Sequence, residues 1–457
     1  MTNEVHGSAA FSDSEGRCFT VGVLGEDTGD AMGQQHCIAR AAVAVPCLGG
    51  WMQMAKAHAA AALEAPAYSC RMKSIGPRNS FVSAADADRR VEIARATALF
   101  CVFYVHALHG VIDLYKGQPT YWPAVLQVKV LSPHVAVFFA LAGMTSQALD
   151  SRPWPHVAKR CLMLLLLAFV THVIGVLILH ALWTPWPSPG GLVRELLRPA
   201  VHGTGHSTFV AWFFVALAAA RAFGYAWHRG WRVFAVVVAC AAAVVALSQS
   251  LGFSADFYYW HTWPAAALMF VLGTYLRPEW RVPRLLGFVC LVTGLTLPVL
   301  NRPGLWTEGV CLACEPAFTS QPVVGGFGFA PLYFALEVVI LIGWLWLAQC
   351  LATTPLRQVL VQAGRNSLQL LTLHGWVLLT LYAAAAHVVR STDFIGRFGG
   401  WWLFPTAMVV LAAVHLFLLC LVGRPINALV SACAKLSGRA VTLLCRLSVG
   451  SRTLRSR

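Results

Sequence analysis

Residues 89–113 read RRVEIARATALFCVFYVHALHGVID, and beyond the two leading arginines the stretch is an apolar run with few interruptions. About 20 such residues cross a hydrocarbon core of roughly 30 Å as a helix. Nine similar blocks follow, so helical spans are expected at about 92–112, 124–149, 159–182, 208–226, 231–251, 261–277, 284–300, 329–351, 367–389 and 401–423. Composition agrees. The 457 residues are 58% hydrophobic and only 12% charged, where soluble chains carry roughly 25% charged residues. The expected fold is all-α, a polytopic membrane protein with about ten transmembrane helices in a lipid bilayer.

The net charge of +15 does not point to nucleic acid, because Lys and Arg fall mainly between the apolar blocks and in the two tails. They read instead as topology determinants. Eleven lie in the loops after spans 2, 4, 6 and 8, among them Arg152, Lys159, Arg160, Arg221 and Arg365; the alternate loops carry seven, including Lys129, Arg194 and Arg302. From Arg71 to Arg95, six precede or open the first span, and seven follow Leu421. Both termini are therefore expected in the cytoplasm, and the loops 183–207 and 301–328 outside. Residues 1–88 form an expected weakly ordered cytoplasmic extension, with translation from Met72 as the alternative; 89–424 is the membrane domain and 425–457 a basic cytoplasmic tail. Of fourteen cysteines, Cys101, Cys161, Cys240, Cys290 and Cys420 sit within apolar runs and read as packing or lipid-facing residues. No metal-ligand quartet is present, whereas Cys311 and Cys314 could be joined in an oxidising compartment.

Ionisable groups inside spans are costly and therefore informative. Arg95 and His106 are eleven residues apart. Eleven helical steps end about 20° past three full turns and rise about 16 Å, so both side chains share one face. A charge at the mouth with an imidazole midway suits a long, anionic, activated donor such as a coenzyme A thioester. Glu92, one turn below, can hold the guanidinium. His109 and Asp113 form an i, i+4 pair farther along, where a hydroxyl acceptor could be received. The competing reading of His106 is a histidine that only hydrogen-bonds a neighbouring helix.

Several segments in order resemble the acyltransferase 3 family of integral membrane acyltransferases. Glu92, Arg95 and His106 fill the positions of its first-helix pattern. PHVAVFFALAGMTS (133–146) resembles its Phe-Phe-x-x-Ser-Gly segment, with Ala142 in place of Ser. AKRCLMLLL (158–166) resembles the basic entry to its third helix, keeping Arg160 but with Val157 where a first Arg often stands. AWFF (211–214) is similar to its Trp-Phe-Leu segment, and GRNSLQLLTLH (364–374) to its Gly-x-x-Ser-Leu-x-x-Tyr-x-x-His segment, with Leu371 for Tyr. The resemblance covers about residues 89–420.

The resemblance implies an O-acyltransferase that moves an acyl group, usually acetyl or succinyl, from a cytoplasmic acyl-coenzyme A to a hydroxyl of a carbohydrate. His106 would be the general base; Arg95 and Arg160 would meet the donor phosphates, and Asn366 and Ser367 would add hydrogen bonds, unless they merely cap a helix. Glu337, the lone carboxylate in its span, could orient a histidine or bind the sugar, or pair for packing. His374 matches the family motif and could equally be a satisfied core histidine. No cofactor is expected beyond the donor substrate. A glycan acceptor from a bacterial exopolysaccharide such as a cellulose-like glucan, a polysaccharide synthase complex as partner, and location in the cell inner membrane complete the expectation. Trp183, Trp186, Trp260 and Trp263 read as an interfacial aromatic belt ahead of a sugar platform. Two other functions stay open: an exporter of a sugar or lipid-linked sugar, and a non-catalytic partner of a synthase.

Overall fold

The computed structural model describes residues 10–12, 18–20, 84–114, 121–146, 149, 151–208, 210–251, 257–312, 320–321, 326–382 and 403–455. The expected extension 1–88 and the pairings of Asp113 and Cys314 lie wholly or largely outside these residues. Within 1–88, β1 (Ala10–Ser12) pairs antiparallel with β2 (Cys18–Thr20). The helices begin with α1 (Ala84–Leu114), followed by α2 (Tyr121–Leu131), α3 (Ala136–Met144), α4 (Trp154–Leu182), α5 (Pro189–His202) and α6 (Ala211–His228). Next come α7 (Trp231–Ser250), α8 (Trp263–Tyr275), α9 (Arg284–Gly294), the single turn α10 (Leu305–Glu308), and the short antiparallel pair β3 (Ser320–Gln321) and β4 (Gly326–Phe327). The chain closes with α11 (Ala330–Leu351), α12 (Arg357–Arg365), α13 (Ser367–Val377) and α14 (Leu403–Arg455).

The protein is an all-α, multi-spanning membrane protein. Among the described residues, six segments are long and apolar enough to cross a membrane: Arg89–His109, Tyr121–Met144, Trp154–Leu182, Trp231–Ser250, Ala330–Leu351 and Val409–Arg446. Two shorter apolar helices cover Arg284–Leu300 and Ser367–Leu381. The remaining two expected segments, 208–226 and 261–277, are helical as α6 and α8. The segment expected as a basic tail continues α14 as far as Arg455.

Helix α1 is the centre. It packs against α2, α3, α11, α12, α13 and α14, and Ile93, Leu99 and Phe103 are fully enclosed. Helix α7 is the opposite case: Trp231, Val236, Val244 and Leu247 all point outward, as suits a helix bathed in lipid. Lipid tails are as apolar as leucine, so helices in a membrane associate through close packing rather than the hydrophobic effect. The α3–α8 crossing illustrates this. A Cβ on Gly143 would overlap the Phe270 carbonyl, and one on Gly273 would overlap the Ala140 carbonyl, so the two backbones touch.

Polar groups inside the bundle find internal partners. Pro133 interrupts the second span between α2 and α3, where His134 accepts a 2.7 Å hydrogen bond from Trp344 Nε1–H and donates to the Gly294 carbonyl over 3.1 Å. Lys129, counted with the outer loop charges in the sequence, is instead fully buried in α2. It donates to the carbonyls of Cys311 and Leu312. Arg221, counted with an inner loop, likewise belongs to α6. Cys311 is disulfide-bonded. Cys101 and Cys290 are buried, while Cys240 and Cys420 face outward as expected for lipid contact.

A strap joins the loop after α5 to the turn before α8. Tyr258 N–H donates to the Gly203 carbonyl over 3.1 Å, and Tyr259 Oη lies 3.0 Å from His206 Nδ1. Tyr258 and Tyr259 both take left-handed backbone angles, φ 51° and 56°, which non-glycine residues adopt only under constraint. Burial, with His172 beside it, pushes the His206 imidazole down to about 3. The unfolded chain takes up that proton near pH 6.5. The stability from burying the neutral ring is therefore complete above that pH and drains as pH falls toward 3. The Tyr258 amide is expected to exchange hydrogen faster at about pH 5 than at about pH 7 after correction for intrinsic rates, as measured by hydrogen-exchange mass spectrometry, and His206→Phe should abolish the difference.

Candidate active site

Two polar centres lie on one face of α1. At its lower end, Arg95 Nη1 lies 3.0 and 2.9 Å from the two Glu92 oxygens, the i, i+3 pair expected from the spacing. Its Nη2 donates to Thr145 Oγ1 over 3.3 Å. The segment 133–146 is thereby brought to the guanidinium. Helix α12 arrives at the same level because Gly364 has no side chain: a Cβ there would overlap the Glu92 carbonyl. Asn366 and Ser367 follow directly. Asn366 donates its side-chain amide to the Gln362 carbonyl over 2.8 Å and makes no side-chain cap, so the simple capping role is not the one it plays.

Arg221 completes this end of the bundle. It stands on α6 within the electrostatic field of Arg160, Arg95 and Arg152, and its buried Nε has no hydrogen-bond partner among the described residues. Arg160 itself is exposed on α4. Guanidinium groups gathered from three helices and the loop before α4 repel one another unless an anion lies among them, and their planar forks fit phosphate oxygens. The sequence reading missed Arg221 by placing it in a loop. The missing first arginine at Val157 was the available signal: α6 supplies a further cation, Arg221, to join Arg160 of α4.

Farther along α1 the imidazoles begin. His106 Nδ1 lies 2.6 Å from His374 Nε2, His374 Nδ1 lies 2.9 Å from His415 Nε2, and His415 Nδ1 lies 2.6 Å from the Leu411 carbonyl oxygen. Three helices, α1, α13 and α14, thus contribute one ring each to a continuous chain. Phe103, one turn before His106, stacks on both His374 and His415 with centroids 4.1 Å away and holds their planes. His374 and His415 are fully buried, while His106 is partly exposed. Among the described residues no group of three His, Cys, Asp or Glu side chains is arranged to hold a metal ion. A chain of imidazoles ending at an accessible ring can accept a proton there and hold the resulting cation in place.

Of the other expected site residues, Glu337 is fully buried on α11, which packs on α1. Its nearest polar neighbour is Tyr333, one turn earlier, and among the described residues no hydrogen bond joins Glu337 to the histidine chain. His374 is brought to His106 as a partner rather than left as an isolated core ring. His415 was not singled out by the sequence. Two of the four tryptophans tie backbone together: Trp183 Nε1 donates to the Leu379 carbonyl and Trp263 Nε1 to that of Tyr258.

Placing a methyl group at Gly364 separates α12 from α1. Gly364→Ala is expected to cost about 1–3 kcal/mol and to lower the unfolding midpoint in detergent, read by tryptophan fluorescence. Gly190→Ala, where a Cβ meets open space, serves as the neutral control.

No curated protein and no solved structure matches the chain. The family model described as an acyltransferase domain matches residues 88–423, which takes in α1 with Arg95 and His106, the 133–146 segment, Arg221, His374 and His415. With nearly three quarters of its length accounted for in this way, the chain belongs to the acyltransferase 3 family.

Proposed function

We propose that the protein transfers an acyl group, acetyl or succinyl, from cytoplasmic acyl-coenzyme A to a hydroxyl of a glycan. The observation that carries this reading is that one helix, α1, carries Arg95 of the arginine cluster and, farther along the same face, His106 of the histidine chain. Arg95, Arg160 and Arg221 bind the donor phosphates, with Glu92 holding Arg95 and with Asn366 and Ser367 beside them. The pantetheine arm then runs along α1 and brings the thioester toward His106. The rise between the two residues, about 16 Å, suits such an arm.

The acceptor hydroxyl gives its proton to the His106 imidazole as its oxygen attacks the thioester carbon. A C–O bond forms and the C–S bond breaks. The departing thiolate takes up a proton from the imidazolium, which restores the base. Glu337 binds the sugar from α11. In the cell the protein crosses the bacterial inner membrane ten times with both termini in the cytoplasm. Residues 89–424 form the catalytic domain, flanked by the extension 1–88 and the basic segment 425–457. The acceptor is an exopolysaccharide such as a cellulose-like glucan, presented by a polysaccharide synthase complex.

Membranes containing the protein, radiolabelled acetyl- or succinyl-coenzyme A and a cell-derived glycan fraction test the proposal. The wild type is expected to label the glycan. His106→Ala should lower kcat by about 10²–10⁴-fold. Arg221→Gln should chiefly raise the donor KM, by about tenfold, or about 1.4 kcal/mol of binding. Labelling indistinguishable from empty membranes, with the wild type folded, would sink the reading in favour of an exporter or a non-catalytic synthase partner.

A further inference from the structure

The second half of α14 carries a charge pattern that the candidate site does not use. From Leu403 to Arg455 the helix contains no acidic residue. Helical steps of about 100° put Arg424, Lys435, Arg439 and Arg446 within about 60° of one another around the axis. All four are exposed, and none has a hydrogen-bond or ion-pair partner among the described residues. The opposite side of the helix is occupied, because Ile426, Cys433 and Ser437 are buried against the bundle. Between the two sides, next to the basic stripe, stand Leu436 and Leu443, 55% and 59% exposed.

This half of α14 is not parallel to α4. His415 is level with α13, whose Trp376 donates to the Thr171 carbonyl of α4, while a Cβ on Gly438 would lie 3.2 Å from Lys159 Cε near the start of α4. Between those two levels α14 advances about 34 Å and α4 only about 18 Å. The second half of α14 therefore leans across the end of the bundle, and Pro425, a residue that kinks helices, stands where that half begins. A helix in the bilayer interface takes this attitude, with apolar side chains turned to the acyl boundary and basic ones at headgroup level.

We infer that the Arg424–Arg446 segment is a docking surface for anionic phospholipid headgroups, which the four cations meet while Leu436 and Leu443 seat the helix against the acyl chains. Each basic side chain beside an acidic bilayer contributes about fivefold in affinity. An acidic protein would answer the charges and leave the neighbouring leucines in water. An acidic lipid answers both at one surface, and α14 already enters the bilayer through its first half. The inference stands apart from the chemistry at His106.

Full-length protein, stripped of lipid in a neutral detergent, is titrated with phosphatidylglycerol or phosphatidylcholine, and bound lipid is counted by native mass spectrometry. The wild type is expected to prefer phosphatidylglycerol by at least about tenfold, and the preference should shrink as ammonium acetate is raised. Replacing the four cations together, Arg424→Gln, Lys435→Gln, Arg439→Gln and Arg446→Gln, should lower phosphatidylglycerol affinity at least about tenfold. Keeping the charge with Arg424→Lys, Arg439→Lys and Arg446→Lys should preserve the preference. Equal binding of the two lipids by the wild type, or a glutamine variant that keeps the full preference, overturns the inference. So does capture of a poly-glutamate peptide without any lipid preference, the outcome that an acidic protein partner predicts.

Discussion

A polar group in hydrocarbon has no water to fall back on, and α1 carries a carboxylate, a guanidinium and an imidazole into that environment. Each has to be met by protein, and the helices around α1 are arranged to meet them. Thr145 at the end of α3 comes to Arg95, α12 lies against the Glu92 backbone, and α13 and α14 bring His374 and His415 to His106. The packing of the bundle is thus largely a solution to the hydrogen-bonding needs of one helix.

Other buried polar groups show what the same constraint produces when only structure is at stake. His134 is satisfied on both ring nitrogens, by an indole N–H and a backbone carbonyl, and Lys129 spends its ammonium on two carbonyls of the 301–312 loop. These groups are closed. The histidine chain differs because it starts at a partly exposed ring, and the arginine group differs because like charges outnumber their carboxylate. Glu337 shares the unfinished character, with two buried oxygens that complete no hydrogen bond among the described residues.

Hydropathy made the helical segments legible, since block length depends only on the thickness of the bilayer; among the described residues each of the ten expected segments includes helix, and six have the full length and apolarity of a crossing. The Glu92–Arg95 pair and the shared face of Arg95 and His106 were legible for an equally local reason, helical periodicity. His415 and Arg221 were not. Their meaning comes from contacts with other helices, and a residue at the edge of an apolar block reads as a loop charge until the helix is seen to continue around it. Lys129 was misread through the same ambiguity. The departure at Val157 was visible, but not that a neighbouring helix compensates for it.

The backbone contact between α3 and α8 also limits how anything reaches the site. Where a single methyl group on Gly143 or Gly273 finds no room, no lipid tail or extended substrate can pass, so that seam is sealed against lateral entry from the bilayer. Because α3 ends at Thr145 on Arg95, a push on α8 reaches the guanidinium through two rigidly joined helices. The bundle is therefore braced on that flank, where backbones rather than side chains meet.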